Sequence, residues 1–531
     1  MAVLTLGTTA GAAQEHGEHS LGNVSFPISC SRAAQREFNR AVALLHHMTY
    51  PQARAAFTRV ARLDRSCAMA EWGIAMTLFQ PLWPTRPSPA ELQQGWKAVV
   101  TARARKPRTE RERQLIDAAA AFFQDPGSTD YWERIRRWEQ AMGRAHRAFP
   151  DDPEVTAFYA LAHLAAAPSD TTARSHWERA ADLLLEVYQK NPDHPGAMHY
   201  LVHANDAPDR EGQSLEVTRK YQAVAPRNPH ALHMPTHIYT RLGDWNAVIQ
   251  GNLLAAEAAL EHPAGENGQF VWDEFPHAIE YLVYAYLQKG QDEDAMAQVN
   301  RLRETARLQP TFKTAFHLAS TRARYALERQ DWDQAAALPP RDPPSLDWDR
   351  FTWPEAVSWF ARGLGAARTG HIEEAREAAR RLLVLQSAAA NAGETLFARN
   401  IQVLNLELNG WLAQGRRDRD SAIVLVRQAA ELEESTPKHA VTPPPTLPGY
   451  ELLGDLLLEQ EKPAEALVAY RRALEHYPGR FNSLLGAARA ARGSGANADA
   501  RKLYQQLLDV AGEGTRIAAL DEARAFISPG K

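Results

Sequence analysis

Apolar positions recur three or four residues apart over long stretches of this chain, and glycine and proline fall between those stretches. The pattern predicts a helix over 32–47, a turn at 49–51 and a second helix through residue 63. Longer helices are predicted over 89–123 and 129–148. Alternating β-branched runs, which would indicate strands, are almost absent. The pattern therefore predicts an all-α protein.

Proline-rich breaks divide the predicted helices into groups. One break lies at 339–344, and the run of three prolines at 443–445 predicts a stiff linker. We predict five segments: an N-terminal tail with a signal remnant at 1–31, a helical array at 32–338, further hairpins at 339–435, a linker at 436–448 and a C-terminal pair of hairpins with a tail at 449–531.

Small and aromatic residues recur at a fixed interval near the C-terminus. Ala500 and Tyr504 follow Ala466 and Tyr470 by 34 residues, and the same region holds Gly454, Ala473, Pro478 and Gly495. These positions resemble the tetratricopeptide repeat, a helical hairpin in which small residues stand where the helices cross and one aromatic fills the gap. Weaker copies pair a turn residue with a small or β-branched one: Gly243 with Val248, Gly290 with Ala295, Gln330 with Ala335, and Gly370 with Ala375.

The resemblance implies a right-handed α-solenoid of stacked hairpins, whose concave groove binds a protein or peptide partner or a small molecule. Composition agrees with a folded protein, with 45% hydrophobic residues, 23% charged residues and a formal net charge of −4. Without a polybasic surface, nucleic acid is not expected as a partner. No apolar run approaches the roughly 18 residues that a membrane span needs.

The first 14 residues contain a short apolar stretch followed by small residues, like the end of a secretory signal without its basic start. They predict export to the periplasm, with a disordered tail on a cytoplasmic protein as the alternative. Cys30 precedes the first predicted helix and Cys67 begins a later one. Since such helix starts are neighbours in stacked hairpins, we predict a disulfide, the alternative being two reduced thiols.

Histidines recur with two spacings at once in the middle of the chain. His199 and His203 are four residues apart, as are His233 and His237, and the two pairs are separated by 34 residues. A spacing of four places side chains on one helix face, and 34 is one repeat. The sequence therefore predicts imidazoles projecting from adjacent helices into one space.

The resemblance adds further positions, because the second, fifth and ninth places of a repeat's first helix face the groove in this family. Alignment on the turn residues puts His230, His277, His317 and Tyr284 among those places. We predict a metal-ligand set of His199, His203, His233, His237, His277 and Glu280. The predicted groove-lining set is His46, Glu71, Asp206, His230, His317 and Arg324.

Imidazole and carboxylate ligands suit a transition metal, with copper or zinc as the candidates. Pro235 is expected to kink the helix between His233 and His237 and so re-aim both rings. If the site is catalytic, as in a metal-dependent hydrolase or oxidase, Glu280 would act as base or ligand and Tyr284 as proton donor. The chain contains no HExxH, CxxC or phosphate-loop motif, so enzymatic activity is left open.

Two interpretations without a metal stay open. In one, a metal-free scaffold uses these histidines and Arg324 to contact a peptide or a carboxylate. In the other, duplication of the repeat has copied a histidine that has no function.

Overall fold

Helices joined by short turns make up the computed structural model, which describes residues 20–83, 85–127, 130–265, 267–512 and 517–528. In these ranges β-structure is limited to two isolated bridges, Ala264 with Phe270 and Val271 with Leu308. The all-α prediction is confirmed. None of the helices described is long and apolar enough to cross a bilayer. The predicted signal remnant lies outside the described residues.

The chain divides into two compact units. The N-terminal unit comprises residues 1–167, 175–205 and 212–235, and the C-terminal unit comprises 168–174, 206–211 and 236–531. The array predicted over 32–338 thus contributes to both units.

The N-terminal unit is built from helices packed on their neighbours in sequence. Its core includes Phe26, Phe38, Phe57 and Trp72, whose ring centroids lie 5.1–6.3 Å apart in contacting pairs. The helices are α1 (Arg32–His46), α2 (Tyr50–Leu63), α3 (Ala68–Met76), α4 (Pro89–Ala104), α5 (Glu110–Phe123), α6 (Tyr131–Ala148), α7 (Pro153–Ala165), α8 (Ala173–Lys190), α9 (Pro195–Asn205), α10 (Leu215–Val224) and α11 (Pro229–His233).

The C-terminal unit continues with helical hairpins. Its helices are α12 (Pro235–Leu242), α13 (Trp245–Leu260), α14 (Glu274–Gln288), α15 (Asp292–Glu304), α16 (Phe312–Glu328), α17 (Trp332–Ala336), α18 (Thr352–Arg368), α19 (Ile372–Asn391), α20 (Thr395–Gly415), α21 (Arg419–Glu434), α22 (Gly449–Glu459), α23 (Pro463–His476), α24 (Phe481–Gly493), α25 (Asn497–Ala511) and α26 (Ala518–Ile527). Short 3₁₀ turns occupy Glu211–Ser214 and Trp348–Arg350.

Tyr470 fills the gap between three successive helices of the C-terminal unit. A Cβ added at Gly454 would lie 2.7 Å from its ring, and one at Gly486 would lie 2.3 Å away. Ala466 and Ala473 are buried on the same helix as Tyr470. Because only glycine permits this approach, the predicted repeat positions are confirmed as packing positions, and the stacked hairpins follow from them.

The turns of the weaker repeat copies adopt the left-handed backbone conformation. Gly243 has φ of +69°, and a Cβ there would lie 2.7 Å from the carbonyl oxygen of Pro478. Val248 and Ala295 in the helices after these turns are fully buried. The predicted turn residues therefore lie in hairpin turns, and the predicted packing residues are buried in the helices that follow.

The proline-rich segment 436–448 is irregular, as its prolines require, and most of residues 441–448 are buried. The guanidinium of Arg324 donates to the carbonyl oxygens of Pro444 at 2.8 Å and Pro445 at 3.1 Å. Proline lacks an N–H group but keeps a carbonyl acceptor, so the segment can be packed inside the unit with its polar groups satisfied.

Candidate functional site

Three histidines converge in the N-terminal unit. His199 and His203 lie one turn apart on α9, which begins at Pro195, and His230 lies in the first turn of α11. Helix α11 begins at a proline, and the side chain of Asn228 caps it by accepting the backbone N–H of Ala231 at 3.0 Å. Proline suits a first helical position because the N–H it lacks would have no acceptor there. We call His199, His203 and His230 the histidine trio.

The ring nitrogens of the trio lie at coordination-like distances. His199 Nε2 is 3.1 Å from His203 Nε2 and 3.0 Å from His230 Nε2, and one ligand atom from each ring lies within 4.8 Å of the other two. Nitrogens at about 2.0–2.1 Å from a tetrahedral ion would be about 3.3 Å apart. Small side-chain adjustments would therefore place the three rings around one cation.

The tautomer of His199 is set by the end of α1. His199 Nδ1 lies 2.6 Å from the carbonyl oxygen of His46, the last residue of α1. Carbonyls in the last turn of a helix have no partner within the helix, so this oxygen can accept the Nδ1–H. The lone pair of His199 is then on Nε2, which faces the other two rings. Metal-binding histidines are commonly oriented by such a bond from the other ring nitrogen.

Burial and neighbouring imidazoles favour the neutral form of His199. Burial lowers the pKa of His199 well below its ordinary value, and His230 and His203 lower it further. One lone pair accepts one well-aligned hydrogen bond, yet two ring nitrogens lie within 3.1 Å of His199 Nε2. A bound cation would instead use one lone pair from each neutral ring.

A second buried cluster in the same unit has a carboxylate at its centre. Glu154 Oε2 lies 2.8 Å from His46 Nε2, and Glu154 Oε1 lies 3.3 Å from His194 Nε2. His194 Nδ1 accepts the backbone N–H of Ala197 at 3.1 Å, so its proton is on Nε2. His46 Nδ1 lies 3.0 Å from the hydroxyl of Tyr200. We call His46, Glu154 and His194 the carboxylate cluster.

The pKa shifts in the carboxylate cluster fit an ionised acid between two imidazoles. Burial raises the pKa of Glu154, but His194 and His46 outweigh it and hold that pKa below its ordinary value. Burial lowers the pKa of His46, against the opposing effect of Glu154. Both imidazole N–H groups therefore face a carboxylate that can only accept.

The C-terminal unit contains two other histidine networks. His237 Nδ1 lies 2.8 Å from Asp206, which also accepts from Arg241 at 2.9 Å and from Lys438 at 2.6 Å. Burial raises the pKa of Asp206, but Lys438, Arg241 and His237 together hold it well below its ordinary value.

The second network is a chain of two imidazoles ending on a carboxylate. His277 Nδ1 lies 2.9 Å from His317 Nε2, and His317 Nδ1 donates to Glu280. Ser320 donates to the same carboxylate, and Arg324 Nη2 lies 3.5 Å from it. All five side chains are buried.

The predicted ligand set is therefore distributed over both units. His199 and His203 come together, and the third member of the trio is His230, which the sequence placed in the groove-lining set. His233 ends α11, with its ring centroid 6.3 Å from that of His230. His237, His277 and Glu280 lie in the C-terminal unit. The kink expected at Pro235 is a break, because α11 ends at His233 and α12 begins at Pro235.

Other predicted residues have structural partners. Glu71 pairs with Arg105 at 2.6 Å. The Tyr284 hydroxyl accepts from Arg480 at 3.2 Å, and its ring lies 4.4 Å beneath the guanidinium carbon of Arg324. The Cα atoms of Cys30 and Cys67 are 5.3 Å apart, a separation that a disulfide spans, and the disulfide itself stays a prediction. Export to the periplasm stays a prediction.

Sequence reasoning missed Glu154 and His194. Glu154 follows the proline that begins α7, and His194 precedes the proline that begins α9. Neither belongs to the 34-residue pattern, so only the fold reveals that they meet His46.

Comparison with known proteins gives one family match and several similar solved structures. Residues 457–524 match the tetratricopeptide repeat family model. A search of curated proteins finds no match. Among solved structures, the chain is similar to the human IFIT1 dimer with m7Gppp-AAAA, at 13% identity and a TM-score of 0.38, covering 84% of this chain and 90% of that one. The human IFIT1 dimer with PPP-AAAA gives 13% identity and a TM-score of 0.37, covering 92% of each chain.

The matched residues 457–524 include Tyr470 and the hairpin packing described above. Proteins with stacked repeats of this kind are scaffolds suited to binding partners. The chain contains repeats of the tetratricopeptide type at residues 457–524.

Proposed function

We propose that this repeat scaffold binds a transition-metal ion in its N-terminal unit through His199, His203 and His230. The observation that carries the proposal is the convergence of three Nε2 atoms, one of which has its tautomer set by the His46 carbonyl. Neutral imidazole nitrogen is a preferred ligand for zinc and copper, and these are the proposed ions.

Three protein ligands leave a fourth position on a tetrahedral ion. Catalytic zinc sites have this arrangement, with water or substrate in the remaining position, whereas structural sites are closed by four protein ligands. His203 is the half-buried member of the trio and supports access from solvent. A hydrolase or oxidase activity is therefore a candidate role for the bound ion.

A second candidate function, binding of a peptide without a metal, is favoured by a cavity in the C-terminal unit. The cavity encloses about 350 Å³ and is lined by Tyr470, Phe481 and the acidic side chains of Asp292, Asp455 and Glu459, among others. Burial raises the pKa of Asp455 to about 7, and Glu451 adds to this. Asp292 already pairs with Arg329 and Glu459 with Arg368, each at 2.6 Å, so a lysine or arginine side chain of a bound peptide would be placed beside Asp455.

Metal content tests the first proposal. The full chain, purified without a histidine tag, is expected to retain zinc or copper by mass spectrometry. A His199→Ala/His230→Ala double variant should lose one equivalent, and its affinity for added zinc at this site should fall at least about 100-fold, because one histidine cannot hold the ion.

The matched control is His163→Ala/His176→Ala. These two rings also stack, with centroids 4.3 Å apart, but belong to neither buried cluster. The control should keep its metal. Equal zinc affinity in the wild type and the trio variant would overturn the proposal, and capture of a basic peptide by that protein would favour the second function.

A further inference from the structure

The C-terminal unit orients two histidines of its own with buried carboxylates. His237 on α12 has its Nδ1 2.8 Å from Asp206, whose side chain is 5% exposed. A carboxylate with Arg241 and Lys438 as neighbours is ionised and can only accept, so the neutral ring donates from Nδ1. The lone pair of His237 is then on Nε2.

The tautomer of His277 on α14 follows from the same kind of argument. Glu280 accepts from His317 Nδ1, so the neutral ring of His317 has its lone pair on Nε2. That Nε2 lies 2.9 Å from His277 Nδ1 and accepts the proton there. The lone pair of His277 is therefore also on Nε2, fixed by a relay that ends on a carboxylate.

The two rings are close enough to share an ion. The centroids of His237 and His277 are 6.1 Å apart. Imidazoles bound through one nitrogen at about 2.0–2.1 Å would have centroids about 5 Å apart on a tetrahedral ion and about 6.4 Å apart on opposite sides of it. The observed separation lies within that range.

Two buried carboxylates, Asp206 and Glu280, thus accept hydrogen bonds from imidazoles. Taking an ionised carboxylate out of water is costly, and hydrogen bonds must offset that cost. Carboxylate–histidine pairs are a recurrent second layer of metal sites, where they fix the ring and increase its basicity.

We propose that the C-terminal unit binds a second transition-metal ion, of the zinc or copper class, through Nε2 of His237 and Nε2 of His277. Asp206, His317 and Glu280 are positioning residues, and water or other donors fill the remaining coordination positions. This inference rests on the proposed metal-binding function but on different residues, so each can fail alone. In this proposal Glu280 orients the ligand histidines and does not coordinate the ion itself.

Metal stoichiometry and zinc titration of the full chain test the inference. The wild type should bind two equivalents. The His199→Ala/His230→Ala and His237→Ala/His277→Ala variants should each bind one, and the combination should bind none. Circular dichroism checks that each variant is folded.

A milder variant tests the relay without removing a ligand. Glu280→Gln should keep the fold and weaken zinc binding at the second site about 10–100-fold, with the first site unchanged. Its visible spectrum with Co²⁺ should change at the second equivalent only. The matched control is Glu328→Gln, a fully buried carboxylate 2.9 Å from Arg480 that makes no hydrogen bond to a histidine among the described residues.

Three results would overturn the inference. One is a wild type that binds one equivalent, lost only in the trio variant, which leaves the proposed function intact. Another is two equivalents that are insensitive to the His237→Ala/His277→Ala variant. The third is a Glu280→Gln protein with wild-type affinity and spectrum at both sites.

Discussion

The histidine trio and the carboxylate cluster lie in the same unit and contain similar groups, yet their protons are arranged differently. In the carboxylate cluster His46 donates from Nε2 to Glu154, whereas the Nε2 of His194 lies 3.3 Å from the other carboxylate oxygen as a charge contact without hydrogen-bond geometry. The trio consists of imidazoles alone, and the Nε2 atoms of His203 and His230 both face the Nε2 of His199. Ligand-type side chains within reach of one another form a metal site only when their lone pairs converge.

His46 belongs to both clusters in different ways. Its ring donates to Glu154, and its backbone carbonyl accepts from His199. The carboxylate cluster therefore holds the end of α1 in place, and the end of α1 sets the tautomer of the trio. The comparison predicts that damage to the carboxylate cluster lowers stability first and metal affinity second.

Glu154→Gln should give the largest stability effect. Glutamine has one acceptor oxygen and one NH2 group in place of two carboxylate oxygens, so the buried Nε2–H of either His46 or His194 would face a donor instead of a negative charge. We expect the free energy of unfolding of the N-terminal unit to fall by about 2–3 kcal/mol. Urea denaturation measures it, and metal content should persist. Loss of metal without loss of stability would show that Glu154 is itself a ligand.

Gly196→Ala should have the next largest effect and should act on both clusters. A Cβ at Gly196 would lie 2.4 Å from His46 Nδ1, so the ring must move and shift the carbonyl that orients His199. We expect a loss of about 1–3 kcal/mol, typical of overpacking, together with weaker zinc binding. Gly212→Ala is the control, because no heavy atom lies within 4 Å of its added Cβ. Wild-type zinc affinity in Gly196→Ala would contradict the proposed link between the position of His46 and zinc binding by the trio.

Mild acid should have the smallest effect per residue, and it acts through several histidines. Burial lowers the pKa of His47 to about 3, and His46 and His230 contribute to the decrease, whereas the bond to the Leu21 carbonyl opposes it. A lowered pKa means that the unfolded chain takes up the proton first, so this stability is complete above about pH 6.5 and is lost as pH falls toward 3.

The size of the acid effect at His47 can be measured. At pH 5.5 it should cost about 1 kcal/mol relative to pH 7.5. His47→Gln should reduce the change in unfolding free energy between these two pH values by that amount. An unchanged difference would mean that His47 does not contribute to the acid sensitivity.

The hairpins could be predicted from sequence because their packing is local and periodic. Tyr470 and the turn at Gly243 occupy positions that the 34-residue spacing identifies. The buried proline segment could not be predicted, since the carbonyls of Pro444 and Pro445 are satisfied by Arg324, more than 100 residues earlier in the chain.

The candidate site could be predicted only in part, because it too depends on contacts between residues far apart in the chain. Spacing identified His199 and His203 as neighbours, but a repeat pattern gives a helix face and not a ring orientation. The third histidine comes from a different helix, α11, and the carbonyl of His46 decides where the proton of His199 lies. Neither is encoded in a spacing of four or 34.

The bond from His199 to the His46 carbonyl joins residues 153 positions apart. A fragment cut to α9–α11 would contain all three imidazoles of the trio and lack the oxygen that fixes the central one. During synthesis the trio therefore becomes ion-ready only after α1 has docked and residue 230 has left the ribosome. If the trio binds the proposed ion, the smallest piece of this chain expected to bind it alone is most of the N-terminal unit, and a short peptide spanning the histidines would be a poor mimic of it.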